Sequence, residues 1–349
     1  MTVSVIMPVY KVEEYVGRAI ESILAQTFAD WELWAVDDGS PDRSGRICDR
    51  YAGTDGRIHV IHKENGGAPS ARNEAMKHAG GKYYYFMDAD DWAEPEMLAD
   101  MVALAEANSA QMVITGFYID TYYTDTECYT ELCAQPSQTF TGREDFRKNA
   151  YRLFDRNLLY TPWNKLYLAE YLRERAVAFS DTLWDDFPFN LAVIRDIDRV
   201  CLSEKPYYHF IRKRADSETA RYNPNMYEKR CEEHDMLKRL YAYWGAEDEN
   251  SREMLSRRYI ERLVGCVENV TNRQCGCTGR EKRARIRQMI RTDDCRQALR
   301  YARPRSLMMK VMLVPIRLRS VELTYWEGKV ISRVKSTNAG LFARLKSRR

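Results

Sequence analysis

The amino-acid sequence predicts an α/β fold: a mostly parallel sheet flanked by helices, followed by a helical C-terminal appendage. Three observations carry that expectation. Short β-branched or aromatic runs alternate with stretches of helical periodicity through the first 120 residues. Polar clusters recur at the end of each run. From about Met226 the strand patterning stops, and apolar residues recur at spacings of three and four. At 349 residues the chain exceeds one average domain and falls short of three. The division expected is therefore 1–220 for the α/β domain, with halves 1–120 and 121–220, and 221–349 for the basic helical region.

The elements follow in order. "VSVIMPV" (3–9) is a β-branched run that suits a strand buried on both faces. "EEYVGRAIESILAQ" then places Val16, Ile20, Ile23 and Leu24 on one helical face. "WELWAVDD" (31–38) is the second strand, "SGRICDRYA" a short helix and "IHVIH" (58–62) the third strand. After "KENGGAPS" comes the helix "ARNEAMKHA", which Gly80 and Gly81 stop before the strand "KYYYFMD". Pro95 opens a helix through Ala107, and "AQMVITGFYI" is a further strand.

Charge and cysteine usage narrow the classes. The net charge is only +3, but residues 280–349 hold 20 basic and 5 acidic residues, so that segment carries +15 and the remainder −12. Such asymmetry implies an anionic partner for one part of the chain. Nine cysteines show no disulfide-like spacing, and Cys275 and Cys277 lack a second pair to close a zinc site. The expectation is reduced thiols in a cytosolic protein, with a first strand and not a signal peptide at the N-terminus. No apolar run is long enough to span a bilayer.

The polar clusters mark a candidate site. Pro8 and Tyr10 end the first strand, Asp37 and Asp38 the second, Asn65 to Gly67 follow the third, and Asp88, Asp90 and Asp91 end the fourth. In open parallel sheets, ligands bind outside the carboxyl ends of the strands, so all four clusters should face one crevice. Three carboxylates in "DADD" repel one another and ask for a cation. Oxygen ligands alone favour Mg²⁺ or Mn²⁺, shared with substrate phosphates. The competing reading is a solvated turn whose Asp caps the next helix. In "NGGAPSARN", Gly66 and Gly67 let the backbone approach a ligand, with Ser70, Arg72 and Asn73 at the following helix start; the competing reading there is an ordinary turn. Neither a Walker loop nor a G-x-G-x-x-G is present.

Taken in order, "VSVIMPVYKVEEYVGRAIESILAQTF", "WELWAVDDGSPDRS", "ENGGAPSARNEA" and "YYYFMDADDW" resemble the nucleotide-sugar-binding half of family 2 glycosyltransferases. The resemblance is close over about the first 120 residues and looser to about residue 220. It implies a GT-A fold and an inverting transfer of sugar from a nucleoside diphosphate, UDP above all, to a saccharide or lipid-linked saccharide. By the same resemblance Pro8, Tyr10 and Asp38 line a uracil pocket, and Arg72 lies near the nucleotide and sugar. Asp88 touches the ribose, Asp90 holds Mn²⁺ or Mg²⁺ with Asp88 beside it, and Asp91 completes the longer Asp-X-Asp-Asp form.

The second half supplies the acceptor side. "TPWNKLY" (161–167) looks like the family segment that places Trp163, Asn164 and Lys165 near the site. In "FSDTLWDDFPFNLAV" the pair Asp185–Asp186 is similar to a Glu-Asp pair whose second acid is the catalytic base, so Asp186 is the candidate base. Here the first acid is Asp. Single displacement needs a carboxylate on the face opposite the diphosphate; the bland alternative is a helix cap. "KPYYHFIRKRADSET" (205–219) resembles a Tyr-Tyr-X-Arg segment that closes over the site. His209, Arg212 and Arg214 are candidate diphosphate contacts there, with Ser217 adding a hydrogen bond and His209 a candidate third metal ligand.

"RPRSLMMKVMLVPIRLRS" mixes apolar and basic residues and suits a membrane interface on the inner face of the cell membrane. A helical lid or dimer surface is the competing reading. Nucleic acid is not expected, because aromatics and bases are not interleaved in an RNA-binding pattern. Two other functions compete: a sugar-1-phosphate nucleotidyltransferase, disfavoured by "PVYKVEEYV" after the first strand, and a non-catalytic nucleotide-sugar-binding scaffold.

Overall fold

The computed structural model describes residues 1–122, 127–180, 185–213 and 222–337. The chain forms two compact units, Met1–Arg212 and Lys213–Arg349. That division falls at the end of a strand, ahead of the residue 220 at which the sequence reading places it.

In the first unit β1 (Val3–Val9), β2 (Trp31–Asp37), β3 (Ile58–His62) and β4 (Tyr83–Phe86) run parallel in the order β3-β2-β1-β4. β1 lies between two neighbours and is buried on both faces, which is why Val3, Val5, Ile6, Met7 and Val9 are all apolar. The crossover helices are α1 (Val16–Leu24), α2 (Ser44–Ala52) and α3 (Gly67–His78), with α4 (Met97–Asn108) after β4. Pro8 pairs with Val36 and Val9 with Asp37, and Asp37 in turn with His62. The strand ends are therefore level, and the polar clusters that follow them emerge along one edge.

Past β4 the sheet becomes antiparallel, so the whole is mixed. β9 (Lys165–Leu168) lies antiparallel between β4 and β6 (Met112–Tyr122). β7 (Cys128–Cys133) pairs with β6, and β10 (Val200–Lys213) takes β8 (Gln138–Phe140) and the two-residue β5 (Trp92–Ala93). The short step from β6 to β7 allows only a hairpin-like return, whereas the parallel half needs its crossover helices. Helices α5 (Arg143–Asp155), α6 (Ala169–Glu174) and α7 (Asp186–Ile194) complete the unit.

The second unit is helical: α8 (Met226–Trp244), α9 (Glu249–Thr271), α10 (Gly279–Met289), α11 (Asp293–Tyr301), α12 (Leu307–Arg317) and α13 (Val321–Thr337). Its core joins Ile260, Leu263 and Val267 of α9 to Ile286, Leu313 and Ile316. Side-chain caps from Asp248, Thr278, Thr292 and Ser306 open four of these helices, each worth about 1 kcal/mol. Among the described residues, no helix is long and apolar enough to cross a membrane.

Candidate active site

β4 is four consecutive buried aromatics, Tyr83 to Phe86, and it delivers Asp88, Asp90 and Asp91 to the sheet edge. The three acids have different environments. Asp91 is fully buried; its Oδ2 accepts from Tyr208 Oη at 2.7 Å and its Oδ1 from the Ile211 amide at 2.7 Å. Burial, and then the charges of Asp90 and Asp88, push its carboxyl well above the usual range. Asp91 is thus a tie between the acidic turn and β10. The same Tyr208 hydroxyl accepts from the Asp88 amide at 3.1 Å. Asp90 stands exposed at the rim. Desolvation by the surrounding protein, and next the Asp88 charge, push its carboxyl up to about 6.

Arg72, on α3, organises the rest. Its side chain is buried, with one Nη on Asp88 Oδ1 at 2.8 Å and the other on Asp185 Oδ2 at 2.7 Å and Asp186 Oδ1 at 2.9 Å. The guanidinium also sits 5.0 Å from the Phe179 ring centroid. One planar cation therefore joins acids that are about a hundred residues apart in the chain. Burial pushes the Asp186 carboxyl up to about 7 against the opposing pull of Arg72. The Asp185 carboxyl is also raised, again by burial first. Asn190, one turn along α7, donates to the Asp186 carbonyl at 2.8 Å while accepting from Tyr167 Oη at 2.9 Å, which fixes the helix start.

Asp38 is only 2 % exposed, and its carboxylate is fully engaged. Lys63 Nζ reaches Oδ1 at 2.7 Å, the Gly66 amide reaches both oxygens at 3.0 and 3.1 Å, and the Gly67 amide reaches Oδ2 at 2.7 Å. These contacts occupy about the four acceptor directions a carboxylate has. Gly67 takes φ +84°, a conformation that favours glycine, and so turns its amide toward Asp38. Here α3 begins at Gly67, four residues ahead of the expected start, because the Asp38 carboxylate meets its N-terminus.

The other expected residues are distributed as follows. Pro8 is half-buried near the end of β1, and Tyr10, 43 % exposed, follows it with Lys11 Nζ 5.0 Å from its ring centroid. Trp163, Asn164 and Lys165 are buried. Lys165 Nζ is bonded to Asn164 Oδ1 at 2.8 Å and to the Thr161 carbonyl, and burial draws its ammonium well below its usual range. His209 has both ring nitrogens against carboxylates, Asp120 at 2.7 Å and Glu94 at 3.2 Å, and stacks on Trp92 at 3.7 Å. A metal at His209 would have to displace one of them. Arg212 lies at the end of β10 with its guanidinium 5.5 Å from the Phe210 ring. Arg214 and Ser217 lie outside the described residues.

The sequence marks Tyr208 only as part of the segment that closes over the site, and Lys63 only as a base just ahead of the Gly-Gly loop; Glu94 and Asp120 are long-range partners with no local signal.

Among the described residues, no group of three or more His, Cys, Asp or Glu is arranged to hold a metal alone. The donor set nevertheless suits a divalent ion completed by phosphate oxygens. Asp90 and Asp88 offer hard oxygen ligands, and Asp90 is a crowded carboxylate that a cation would relieve.

Comparison with known proteins supplies the kinship. Residues 4–175 match the profile described as Glycosyl transferase family 2. The chain is 30% identical over 304 residues to the uncharacterized glycosyltransferase EpsJ of Bacillus subtilis (strain 168), covering 86% of each chain. It is 37% identical over 116 residues to the putative teichuronic acid biosynthesis glycosyltransferase TuaG of the same organism, covering 33% of this chain and 46% of TuaG. Among solved structures, S. aureus TarS 1-349 in complex with UDP-GlcNAc superposes with a TM-score of 0.62 at 18% identity, over 95% of this chain and 92% of that one, which speaks for the fold. With that fold, an acidic strand end facing a second acid pair, and this kinship over most of its length, the chain belongs to glycosyltransferase family 2 and has the GT-A architecture.

Proposed function

We propose that this glycosyltransferase is inverting and divalent-metal-dependent, and moves a sugar from a UDP-linked donor to a saccharide or lipid-linked saccharide acceptor in cell-surface polysaccharide synthesis. The observation that carries the reading is the Arg72 clamp. It holds Asp88 of the acidic strand end and Asp185–Asp186 of α7 against one guanidinium, so donor-side and acceptor-side acids share one crevice. TuaG, named for teichuronic acid biosynthesis, and TarS, seen with UDP-GlcNAc, support the polymer and the donor class.

In this reading Pro8 and Tyr10 line the base pocket. Asp38 holds the Gly66–Gly67 loop and meets the base once Lys63 swings aside. Asp90, with Asp88, ligates Mn²⁺ or Mg²⁺, which neutralises charge on the departing diphosphate. Arg212 and Arg214 are assigned to contact the phosphates. Asp186 takes the acceptor hydroxyl proton as that oxygen attacks the anomeric carbon; the bond from carbon to diphosphate oxygen breaks, and UDP leaves from the opposite face. A carboxyl poised at about 7 is well matched to that task. The protein works on the cytoplasmic side of the cell membrane, where UDP-sugars are made.

The test is transfer from a panel of UDP-hexoses to saccharide acceptors, with the product anomer read by NMR. The expected product is inverted. Asp186→Asn should lower kcat by about 10²–10⁴ while UDP still binds. A retained configuration, or full activity in Asp186→Asn, would overturn the reading.

A further inference from the structure

α12 is apolar on two opposite faces. Met309, Met312, Leu313 and Ile316 fill the core of the second unit. Leu307, Val311, Val314 and Leu318 point the other way and are 77%, 58%, 49% and 64% exposed. At about 100° per residue those four fall within roughly 60° of arc, a single stripe along the helix. α13 repeats the pattern: Leu323, Trp326 and Val330 are 51%, 56% and 60% exposed, again within roughly 60°, while Val321, Tyr325 and Ile331 face the core. Scattered exposed apolar residues are ordinary, but successive helices that each carry a continuous outer stripe mark a covered surface.

The charges beside the stripes identify the cover. Lys310 and Arg317 flank the α12 stripe, Arg319 sits in the turn, and Lys329 and Arg333 flank the α13 stripe, all exposed. Residues 303–337 contain eight basic and two acidic residues. Of the two acids, Glu322 is paired with Arg283 at 2.8 Å and Glu327 is half-buried. A second copy placed on this face would bring like charge against like charge. Nucleic acid would use the bases and leave the apolar stripes wet. A lipid surface satisfies both, since acyl chains receive the stripe and headgroup phosphates receive the Lys and Arg ends.

We propose that α12 and α13 dock the protein on an anionic membrane surface, lying in the interface plane with their outer apolar stripes at the headgroup boundary and their flanking basic residues on lipid phosphates. This goes beyond the glycosyl-transfer reading and depends on neither donor nor metal.

The experiment is co-sedimentation of the full chain with vesicles of phosphatidylcholine alone and of phosphatidylcholine with phosphatidylglycerol, at low and high salt. The expected result is binding to the anionic vesicles at least about tenfold tighter than to the neutral ones, weakened by salt. Val311→Glu with Val314→Glu, and separately Lys310→Glu with Arg317→Glu, should each lower that binding by about tenfold or more, with the thermal midpoint unchanged. All four side chains are exposed, so folding is not at stake. No preference for anionic vesicles would overturn the proposal. So would a dimer in solution, by light scattering, that the valine pair abolishes, because the stripe would then belong to a second copy.

Discussion

Replacing Arg72 by Met keeps the bulk over Phe179 and removes the charge that holds three carboxylates. Arg72 is 4% exposed, and its guanidinium has partners at 2.7, 2.8 and 2.9 Å. Removing one side of a buried ion pair costs about 3–5 kcal/mol, because the other side is left unpaired. Proton uptake by the stranded acids limits that loss at low pH. Asp186 already stands at about 7 through burial, with Arg72 opposing, and without Arg72 it rises further. A carboxyl whose folded value lies above its unfolded value binds protons more tightly in the native state. Its contribution to stability is present below the unfolded value and is lost as pH rises through the folded one. The Arg72→Met deficit should therefore be smallest near pH 5 and largest near pH 8. For a unit of this size 1 kcal/mol moves the midpoint by about 2–4 °C, so the deficit at pH 8 is about 6–20 °C. Thermal unfolding of both proteins at the two pH values reads this directly. A midpoint within about 2 °C of the parent at pH 8, or the same deficit at both pH values, would refute the clamp.

Two further outcomes follow from the same geometry. The rise of kcat/KM with pH should show an apparent pKa of about 7, from the buried Asp186 in the free enzyme; a limb complete below pH 5 would remove Asp186 as the base. Asp91→Ala should destabilise the fold by about 1–3 kcal/mol in urea unfolding, because Tyr208 and the Ile211 amide lose their acceptor. It should leave the metal requirement for UDP binding in place, and abolition of that requirement would make Asp91 a ligand.

The sequence marks the parallel half well, because its signals are local. The runs at 58–62 and 44–52 coincide with β3 and α2, and the four buried aromatics of β4 point to the acids after them. What it leaves open is set by distant partners. α3 starts at Gly67 because the glycine's positive φ aims its amide at a carboxylate just past β2, a partner that "NGGAPS" alone does not reveal. That Asp91 is a buried tie and Asp90 a rim acid depends on Tyr208 and Ile211, about 120 residues away. Two of the antiparallel strands carry little local signal: β5 has two residues, and β7 is exposed at five of six positions. α13 mixes its periodicity because it is apolar on an outer stripe as well as on its core face. The sequence marks Arg72 as a ligand contact at a helix start. That it also bridges to Asp185 and Asp186 depends on α7, which no local pattern places beside α3.

In the proposed function the crowded carboxylates at the end of β4 form a metal–diphosphate clamp. Calorimetric titration of UDP into the protein with Mn²⁺, then with EDTA, repeated on Asp90→Asn, tests it most directly. Binding should require both the metal and Asp90. UDP binding that is equally tight in EDTA, or unchanged in Asp90→Asn, would contradict it and leave those acids as a structural turn.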